Sequence, residues 1–225
     1  MSYALAFLLI AAGLIYLALR HGGWALLLLW PAASFAVVAL GYVVLGQRVM
    51  GKDALGRYRW WARVPLLPFR LFTLGGWHIG RLLTRGNASS EILPGLWLGR
   101  RVAADELPPG TALVVDLTSE FSPPRRLLQG GRRYVCVPAL DGTVPDESAA
   151  REALGQVAEV ARAGGTVYIH CARGFGRSAA MVAAVLIIRG ECRDVDEAQQ
   201  RLSKLRPGVR LNRRQREFVK KLTET

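Results

Sequence analysis

The stretch Thr166-Val-Tyr-Ile-His-Cys-Ala-Arg-Gly-Phe-Gly-Arg-Ser178 decides the fold of the part of the chain that surrounds it. Its first residues, Thr166 to Ile169, are apolar or β-branched and predict a short buried strand. The apolar run from about Ser178 to Arg189 predicts a buried helix. A glycine-bearing loop therefore joins the end of a strand to the start of a helix, which is a favourable place to bind an anion.

The loop between Cys171 and Arg177 has the residues of a phosphate cradle, Ala172, Arg173, Gly174, Phe175 and Gly176. Backbone N–H groups in a tight turn before a helix carry partial positive charge and bind phosphate. The two glycines let this backbone approach an anion closely. Arg177 can donate two parallel hydrogen bonds to phosphate oxygens. We therefore expect the loop to hold a tetrahedral oxyanion.

Cys171, at the start of this loop, is the candidate nucleophile. The donors that bind phosphate also stabilise a negative sulfur, so we expect this cysteine to react as a thiolate. Ser178 can donate a hydrogen bond to the sulfur when it becomes a leaving group, and His170 can support the loop by bonding backbone carbonyls. A buried structural cysteine beside a surface arginine is the alternative, but it does not explain two glycines at a helix start.

The pattern His170-Cys-x5-Arg-Ser178 after a strand resembles the protein-tyrosine phosphatase superfamily, and its glycine spacing resembles the dual-specificity branch. The resemblance covers roughly residues 91–225 and includes Ile92-Leu-Pro-Gly-Leu-Trp-Leu-Gly99, which is similar to the opening of such domains. It implies an α/β phosphatase domain that hydrolyses phosphomonoesters without a metal or other cofactor. A dual-specificity domain most often implies phosphotyrosine, with phosphoserine and phosphothreonine, as its substrate.

A cysteine phosphatase also needs a general acid to protonate the leaving oxygen. By its place after a strand and before a long helix, Asp141 matches the acid of the family, and Gly142 beside it would permit loop motion. Asp146 is the second candidate, but it stands where a helix N-cap is expected. Asp116 ends a predicted strand, so local bonding to the next turn is its expected role.

The closing segment, Leu205-Arg-Pro-Gly-Val209, resembles the Arg-Pro segment of the family. The resemblance implies that Arg206 braces the catalytic loop. Gln215 is a candidate for positioning the hydrolytic water, although a polar residue at a helix start is the simpler explanation.

The alternation of strand and helix patterns predicts an α/β domain with a mainly parallel sheet flanked by helices. Beyond the strand at 166–169, strands are predicted in 92–99, 112–117 and 134–137. Helices are predicted at about 146–163, 177–189, 194–205 and 212–223. The catalytic loop then lies beyond the carboxyl end of a strand, where such sheets bind ligands.

The first ninety residues have a different composition. The chain has a net charge of +13 and is 51% hydrophobic. Tyr3 to Leu19 and Trp24 to Leu45 carry no charge, and each is long enough to span a bilayer core of about 30 Å, the second with some tilt. Residues 1–45 therefore predict a hairpin of two transmembrane helices. A signal peptide is the rival for the first span, but no basic region precedes it and a second span follows at once.

Basic residues set the expected orientation of this hairpin. One arginine, Arg20, lies in the turn, whereas Arg48, Lys52, Arg57, Arg59 and Arg63 follow the second span. The excess of positive charge stays cytoplasmic, so both termini and the catalytic domain are predicted there. A reducing compartment also suits a working thiolate. The three cysteines, Cys136, Cys171 and Cys192, are too widely spaced for a disulfide framework or a zinc site.

Residues 46–90 predict a basic interfacial segment and linker before the domain at 91–225. The apolar stretch Val64 to Leu83 contains Arg70, His78 and Arg81, which suits a helix that lies in the membrane interface. A solvated basic linker and a third span are the alternatives. The end of this region, Arg85-Gly-Asn-Ala-Ser-Ser90, has the composition of a linker.

The substrate is left open between a phosphorylated protein and a phospholipid headgroup, either phosphatidylglycerophosphate or a phosphoinositide. The hairpin, the basic segment and Arg173 favour the lipid, and membrane lipids are expected partners in either case. A module that binds phosphorylated ligands without turnover, and a rhodanese-like or arsenate-reducing thiol enzyme, are remote alternatives. Nucleic-acid binding explains the charge poorly, because much of the charge lies beside the predicted spans.

Overall fold

The computed structural model describes residues 2–83 and 86–224 of the chain. Met1, Thr84, Arg85 and Thr225 lie outside the described residues, so the first residue of the predicted linker cannot be placed. The chain forms two compact units. One unit comprises Met1–Asp53, Arg57–Arg85 and Ser119–Ser122, and the other comprises Ala54–Gly56, Gly86–Thr118 and Pro123–Thr225.

The first unit is helical. Helix α1 spans Ser2–His21, and a 3-10 turn at Gly23–Leu28 leads into α2, Leu29–Leu40. Helix α2 continues as a π-helical turn, Gly41–Leu45, and a 3-10 turn, Gly46–Met50. The continuous stretches Tyr3–His21 and Gly23–Met50 are long and apolar enough to cross a membrane. Only 17% and 33% of their most apolar windows are buried, so most of these apolar side chains lie on the surface, unlike those of a soluble core helix.

Two further helices complete this unit, α3 at Trp60–Arg63 and α4 at Leu67–Leu83. The start of α4 packs on α1 and α2 through aromatic rings. Phe69 lies with its ring centroid 5.3 Å from that of Phe7 and 5.8 Å from that of Phe35, and Phe72 lies 5.2 Å from Phe35. Edge-on contacts of this kind stabilise a packing beyond the area that they bury.

The second unit is built on a five-stranded sheet. Its strands are β1 (Ser89–Leu93), β2 (Leu96–Arg100), β3 (Thr111–Thr118), β4 (Arg133–Ala139) and β5 (Thr166–Cys171). Their order is β1-β2-β5-β3-β4; β1 pairs antiparallel with β2, and the other neighbours are parallel. The helices are α5 (Glu147–Arg162), α6 (Arg177–Ile188), α7 (Val195–Leu205) and α8 (Arg213–Thr223). The predicted mainly parallel α/β architecture is confirmed.

The hydrophobic core of this unit joins one face of the sheet to the helices. Helix α6 is buried at every position from Arg177 to Leu186. A helix at the surface is apolar on one side only, whereas α6 is apolar on all sides. This composition explains why α6 is surrounded by other elements in the core. The sequence thus inserts α6 into the core and brings its N-terminus to the carboxyl end of β5.

Capping side chains define the starts of the other helices. Asp146 accepts a hydrogen bond from Ala149 N at 3.2 Å at the start of α5, and Asp194 accepts one from Glu197 N at 2.9 Å at the start of α7. Each bond satisfies a backbone donor that has no partner within the helix.

Candidate active site

The predicted catalytic loop lies at the carboxyl end of the central strand β5. The strand ends at Cys171 and helix α6 begins at Arg177. The Cys171 side chain is buried, and its Sγ lies 3.2 Å from the backbone nitrogen of Gly174 and 3.3 Å from Oγ of Ser178. Both groups can donate to sulfur, and the positive end of the α6 dipole adds to their effect. The arrangement can stabilise a thiolate.

Gly174 is required by both its conformation and its surroundings. Its φ of +80° is in the region that favours glycine, and an added Cβ would lie 2.5 Å from the backbone carbon and oxygen of Gly99. Gly176 has a negative φ of −120°. A Cβ there would lie 3.0 Å from Nε2 of Gln215, which is the end of a side chain rather than backbone.

Arg177 lies where three strands end. Its Nη1 donates to the carbonyl oxygen of Leu117 at 3.3 Å and to that of Ala139 at 2.8 Å. Its Nη2 donates to Oδ1 of Asp141 at 3.1 Å. Only 1% of its side chain is exposed. The ends of β3 and β4 therefore hold the guanidinium in a defined orientation beside the loop.

The two candidate acids have different environments. Asp141 follows β4 by two residues, faces Arg177 and keeps 56% of its side chain exposed. Gly142 next to it has a φ of +71°. Asp146 caps α5 and its Oδ1 also accepts a hydrogen bond from Ser148 Oγ at 2.6 Å. The structure brings Asp141 to the loop and gives Asp146 the capping role.

Arg206, which follows α7, donates hydrogen bonds to backbone carbonyls of the loop. Its Nε donates to the carbonyl oxygen of Gly174 at 2.9 Å, and its Nη2 to that of Arg173 at 3.3 Å. Its Nη1 donates to the carbonyl oxygen of Asn87, and its Nη2 also donates to that of Ala88, just before β1. Its guanidinium carbon lies 4.9 Å from the centroid of the Phe175 ring. Burial lowers the pKa of Arg206, and the four carbonyl acceptors satisfy the buried cation. Through these hydrogen bonds Arg206 holds the backbone of the loop in place, which is the bracing role expected of it.

Gln215 has a local partner. Its Oε1 accepts from Asn212 N at 3.1 Å while Asn212 Oδ1 accepts from Gln215 N at 3.0 Å, which is a reciprocal capping pair at the start of α8. Its side chain is buried beside Gly176. The structure thus gives Gln215 a helix-capping role next to the loop.

Two exposed arginines belong to the loop or are bonded to it. Arg173 is at its tip, and Arg210 is tied to it because its backbone nitrogen donates to the carbonyl oxygen of Phe175 at 3.3 Å. Across residues 2–83 and 86–224, neither guanidinium is paired with a carboxylate. An uncompensated cation beside a phosphate cradle raises the local positive potential and favours anionic ligands.

Beneath the loop lies a buried polar group that sequence reasoning did not connect to the site. Asp116, 1% exposed, accepts from Thr118 N at 2.8 Å, which is the local bonding expected of it. Its Oδ2 also accepts from the Tyr134 hydroxyl at 2.6 Å, and its Oδ1 lies 3.8 Å from Nδ1 of His170. The sequence had no pattern that joins these residues, because they lie on three different strands.

Other contacts of the loop are made by backbone atoms. The carbonyl oxygens of Leu117 and Ala139 orient Arg177, and Arg101 N donates to the carbonyl oxygen of Ala172 at 3.3 Å. Any residue type presents such atoms, so no residue pattern could have identified these positions. Within the described ranges no three His, Cys, Asp or Glu side chains are grouped as metal ligands.

The family model of the dual specificity phosphatase catalytic domain matches residues 108–225, just over half of the chain. No curated protein sequence gives a match. Among solved structures, Tk-PTP in its active form is 26% identical with a TM-score of 0.51, and the match covers 60% of this chain and 96% of that one.

Two other solved structures share the fold. PTPMT1 in complex with PI(5)P is 22% identical with a TM-score of 0.53, over 60% of this chain and 94% of that chain. Human DUSP28 is 22% identical with a TM-score of 0.53, over 61% and 94%. At these identities the likeness concerns the fold alone.

Proposed function

Because the chain belongs to the dual specificity phosphatase family and is a phosphoric monoester hydrolase, we propose that it cleaves its substrate through a phosphocysteine intermediate while anchored to a membrane. The observation that carries the chemistry is the environment of Cys171 Sγ, which faces the amide of Gly174 and the hydroxyl of Ser178 at 3.2 and 3.3 Å. Arg177 stands at the other end of the same loop.

The proposed reaction has two displacements. The thiolate of Cys171 attacks phosphorus in line, so an S–P bond forms and the bond to the leaving oxygen breaks. Arg177 and the amides of residues 172–176 stabilise the charge on the equatorial oxygens. Asp141 gives its proton to the leaving oxygen. Water, deprotonated by Asp141, then cleaves the S–P bond, and Ser178 stabilises the departing thiolate.

Substitution of the nucleophile tests this reaction. Cys171→Ser should abolish phosphate release from the purified full-length protein, because a serine hydroxyl in this loop is not ionised near neutral pH. Retention of the wild-type rate would contradict the assignment of Cys171. The matched control is Cys192→Ser, since Cys192 is also buried and free but lies beyond the end of α6. This control should keep the wild-type rate.

The domain organisation that we propose places the hairpin at 1–45, a basic interfacial segment at 46–90 and the catalytic domain at 91–225. Three observations support it. The two apolar stretches are mostly exposed within the structure. Five cations follow the second stretch, which favours cytoplasmic termini. Helix α4 begins against the aromatic rings of α1 and α2 and leaves Leu71, Ile79, Leu82 and Leu83 exposed, which suits the membrane interface.

For the substrate we propose a phosphorylated protein, as the dual-specificity branch implies, with a phospholipid headgroup as the second candidate. The observation that favours a lipid is a pair of exposed arginines, Arg173 within the loop and Arg210, whose backbone nitrogen donates to the loop residue Phe175. PTPMT1, a solved structure of this fold, is in complex with PI(5)P. Tethering to a membrane raises the local concentration of either kind of substrate.

A parallel assay separates the two substrates. Phosphate release by the full-length protein is measured on vesicles with phosphatidylglycerophosphate, on vesicles with a phosphoinositide and on phosphotyrosine peptides. If the substrate is a lipid, Arg173→Ala and Arg210→Ala should each raise KM on vesicles several-fold and leave the rate on peptides nearly unchanged. Arg189→Ala is the matched control, since Arg189 is an exposed arginine at the far end of α6. A rate preference for peptides would exclude the lipid candidate.

A further inference from the structure

A row of buried polar side chains crosses three strands beneath the catalytic loop. Strand pairing sets Asp116 on β3 directly beside His170 on β5 and Cys136 on β4. Their exposures are 1%, 2% and 4%. Because side chains alternate along a strand, this row faces away from α5 and α6, on the side of the sheet opposite to the main core.

Asp116 has the environment of an ionised carboxylate. Oδ1 accepts from the backbone nitrogen of Thr118 at 2.8 Å and from its hydroxyl at 2.7 Å. Oδ2 accepts from the hydroxyl of Tyr134 at 2.6 Å. Three donors to one carboxyl group favour its charged form, even at full burial.

Nδ1 of His170 faces two oxygen atoms that only accept hydrogen bonds. The carbonyl oxygen of Cys171 lies 3.4 Å away and Oδ1 of Asp116 lies 3.8 Å away. A bare Nδ1 lone pair would be repelled by both atoms, whereas an Nδ1–H is attracted by both. The carboxylate therefore decides which ring nitrogen carries the proton, as second partners of histidine commonly do.

We propose that Asp116 is a positioning residue that keeps a proton on Nδ1 of His170, so that the imidazole holds the carbonyl oxygen of Cys171 at the start of the phosphate loop. The inference rests on the proposed function, in which Cys171 is the nucleophile. In this proposal Asp116 acts on the loop through His170, whose Nδ1 lies 3.8 Å from Oδ1 of Asp116.

The two tyrosines beside this pair stay neutral in the working range. Burial, with a smaller effect from the Asp116 charge, raises the pKa of Tyr134 well above its ordinary value. Burial also raises the pKa of Tyr168, whose ring centroid lies 5.7 Å from that of His170. The charge of Arg101, which follows β2, acts on Tyr134 and does not titrate below pH 12. A change of activity between pH 5.5 and 8 that depends on Asp116 is therefore not due to these three groups.

The variant Asp116→Asn keeps the shape of the side chain and removes its charge. At pH 8 we expect its kcat/KM on p-nitrophenyl phosphate to be about tenfold below wild type, because Nδ1 can then lose its proton and repel the Cys171 carbonyl. An imidazole that takes up a second proton as the pH falls carries a proton on Nδ1 again. The ratio of variant to wild type should therefore recover toward one at pH 5.5. A deficit that does not change with pH, or no deficit at all, would overturn the proposal.

Two controls separate this inference from its premise. Cys136→Ala removes a neighbour of Asp116, whose Oδ2 lies 3.9 Å from the sulfur, without changing the charge, so its ratio to wild type should be flat between pH 5.5 and 8. Cys171→Ser tests the premise alone. If that variant still turns over substrate, the proposed nucleophile is wrong; if it is inactive while the Asp116→Asn ratio is flat, only the positioning role is wrong.

A spectroscopic measurement applies even if Asp116→Asn does not fold. Long-range proton–nitrogen spectra of the imidazoles in the ¹⁵N-histidine-labelled full-length protein distinguish the two ring nitrogens. The chain has three histidines, so the His170 resonances are assigned by their loss in His170→Gln. We expect Nδ1 to be protonated in the wild type at pH 8. A bare Nδ1 would overturn the proposal directly.

Discussion

The two glycines of the loop differ in how strictly their surroundings exclude a side chain. At Gly174 the backbone has positive φ and the nearest atoms are the backbone of Gly99. Backbone cannot move aside as a side chain does, so this glycine has no substitute. At Gly176 the nearest atom belongs to the Gln215 side chain, which can shift. Two glycines that look alike in the sequence pattern therefore carry different constraints.

This difference gives a paired prediction. Gly174→Ala should lower kcat/KM by about 10²-fold, because a Cβ at 2.5 Å from Gly99 displaces the loop and misplacing reacting groups by about 1 Å has that cost. Gly176→Ala should cost less than tenfold. Initial rates and thermal melting of both purified variants are compared with wild type. Equal losses in the two variants would show that the Gly99 contact is not decisive.

The two aspartates before and at the start of α5 give a second prediction at this scale. Asp141→Asn should lower the rate on an alkyl phosphate by about 10²-fold and have little effect on p-nitrophenyl phosphate, whose leaving group needs no proton. Asp146→Asn should leave both rates unchanged, because asparagine also caps a helix. Steady-state rates on both substrates decide between them. The opposite pattern would make Asp146 the acid.

At the scale of elements, the site depends on how strand ends meet a helix start. Parallel pairing brings the carboxyl ends of β3, β4 and β5 to one edge, and Arg177 donates to the carbonyl oxygens of Leu117 near the end of β3 and of Ala139 at the end of β4. Helix α6 begins at this same residue and is held by burial on all sides. Burying a large aliphatic side chain contributes roughly 1.5–3 kcal/mol, so α6 is a stable support for the loop.

The brace from the C-terminal end of α7 gives a prediction for an element contact. Arg206→Lys keeps a positive charge but loses the planar fork that reaches the carbonyls of Gly174 and Arg173. Loss of one or two charged hydrogen bonds, each about 1.5–3 kcal/mol, should lower the melting temperature and reduce kcat more than it changes KM. Arg189→Lys, at the exposed end of α6, should change neither. An unchanged kcat in Arg206→Lys would contradict the proposal that Arg206 braces the loop.

At the scale of the whole molecule, charge and hydrophobicity are separated along the chain. Residues 1–45 hold one arginine and no acidic residue, whereas the remaining charges follow the second apolar stretch. Two apolar helices of this length, with most of their side chains exposed, are stable in lipid and would aggregate in water. The proposed anchoring follows from this distribution rather than from the phosphatase fold.

The topology can be tested by accessibility of single introduced cysteines. In intact cells, His21→Cys, at the end of α1, should react with a membrane-impermeant maleimide. Glu224→Cys, at the other end of the chain, should react only after permeabilisation. The three natural cysteines are buried and provide the background measured in wild type. Labelling of Glu224→Cys in intact cells, with none at His21→Cys, would reverse the proposed orientation.

The sequence by itself determined the elements of the catalytic domain, because their apolar periods and the loop residues are local. The strands and helices lie within about two residues of the predicted bounds, apart from the ends of some strands, and the loop starts at Cys171 as expected. The uncharged stretches likewise predicted two apolar helices, since length and composition are read directly from the chain.

Only the tertiary structure decided which distant groups meet at the loop. Asp141 and Arg206 were expected at the loop from the family resemblance, and the contacts with Arg177 and with the loop carbonyls are seen only in the structure. The pairing of Asp116 with His170 depends on the order of strands in the sheet, which no local pattern encodes. The physical reason is that side-chain propensity and hydrophobic period act over a few residues, whereas strand order and the contacts that it creates arise from packing the whole core.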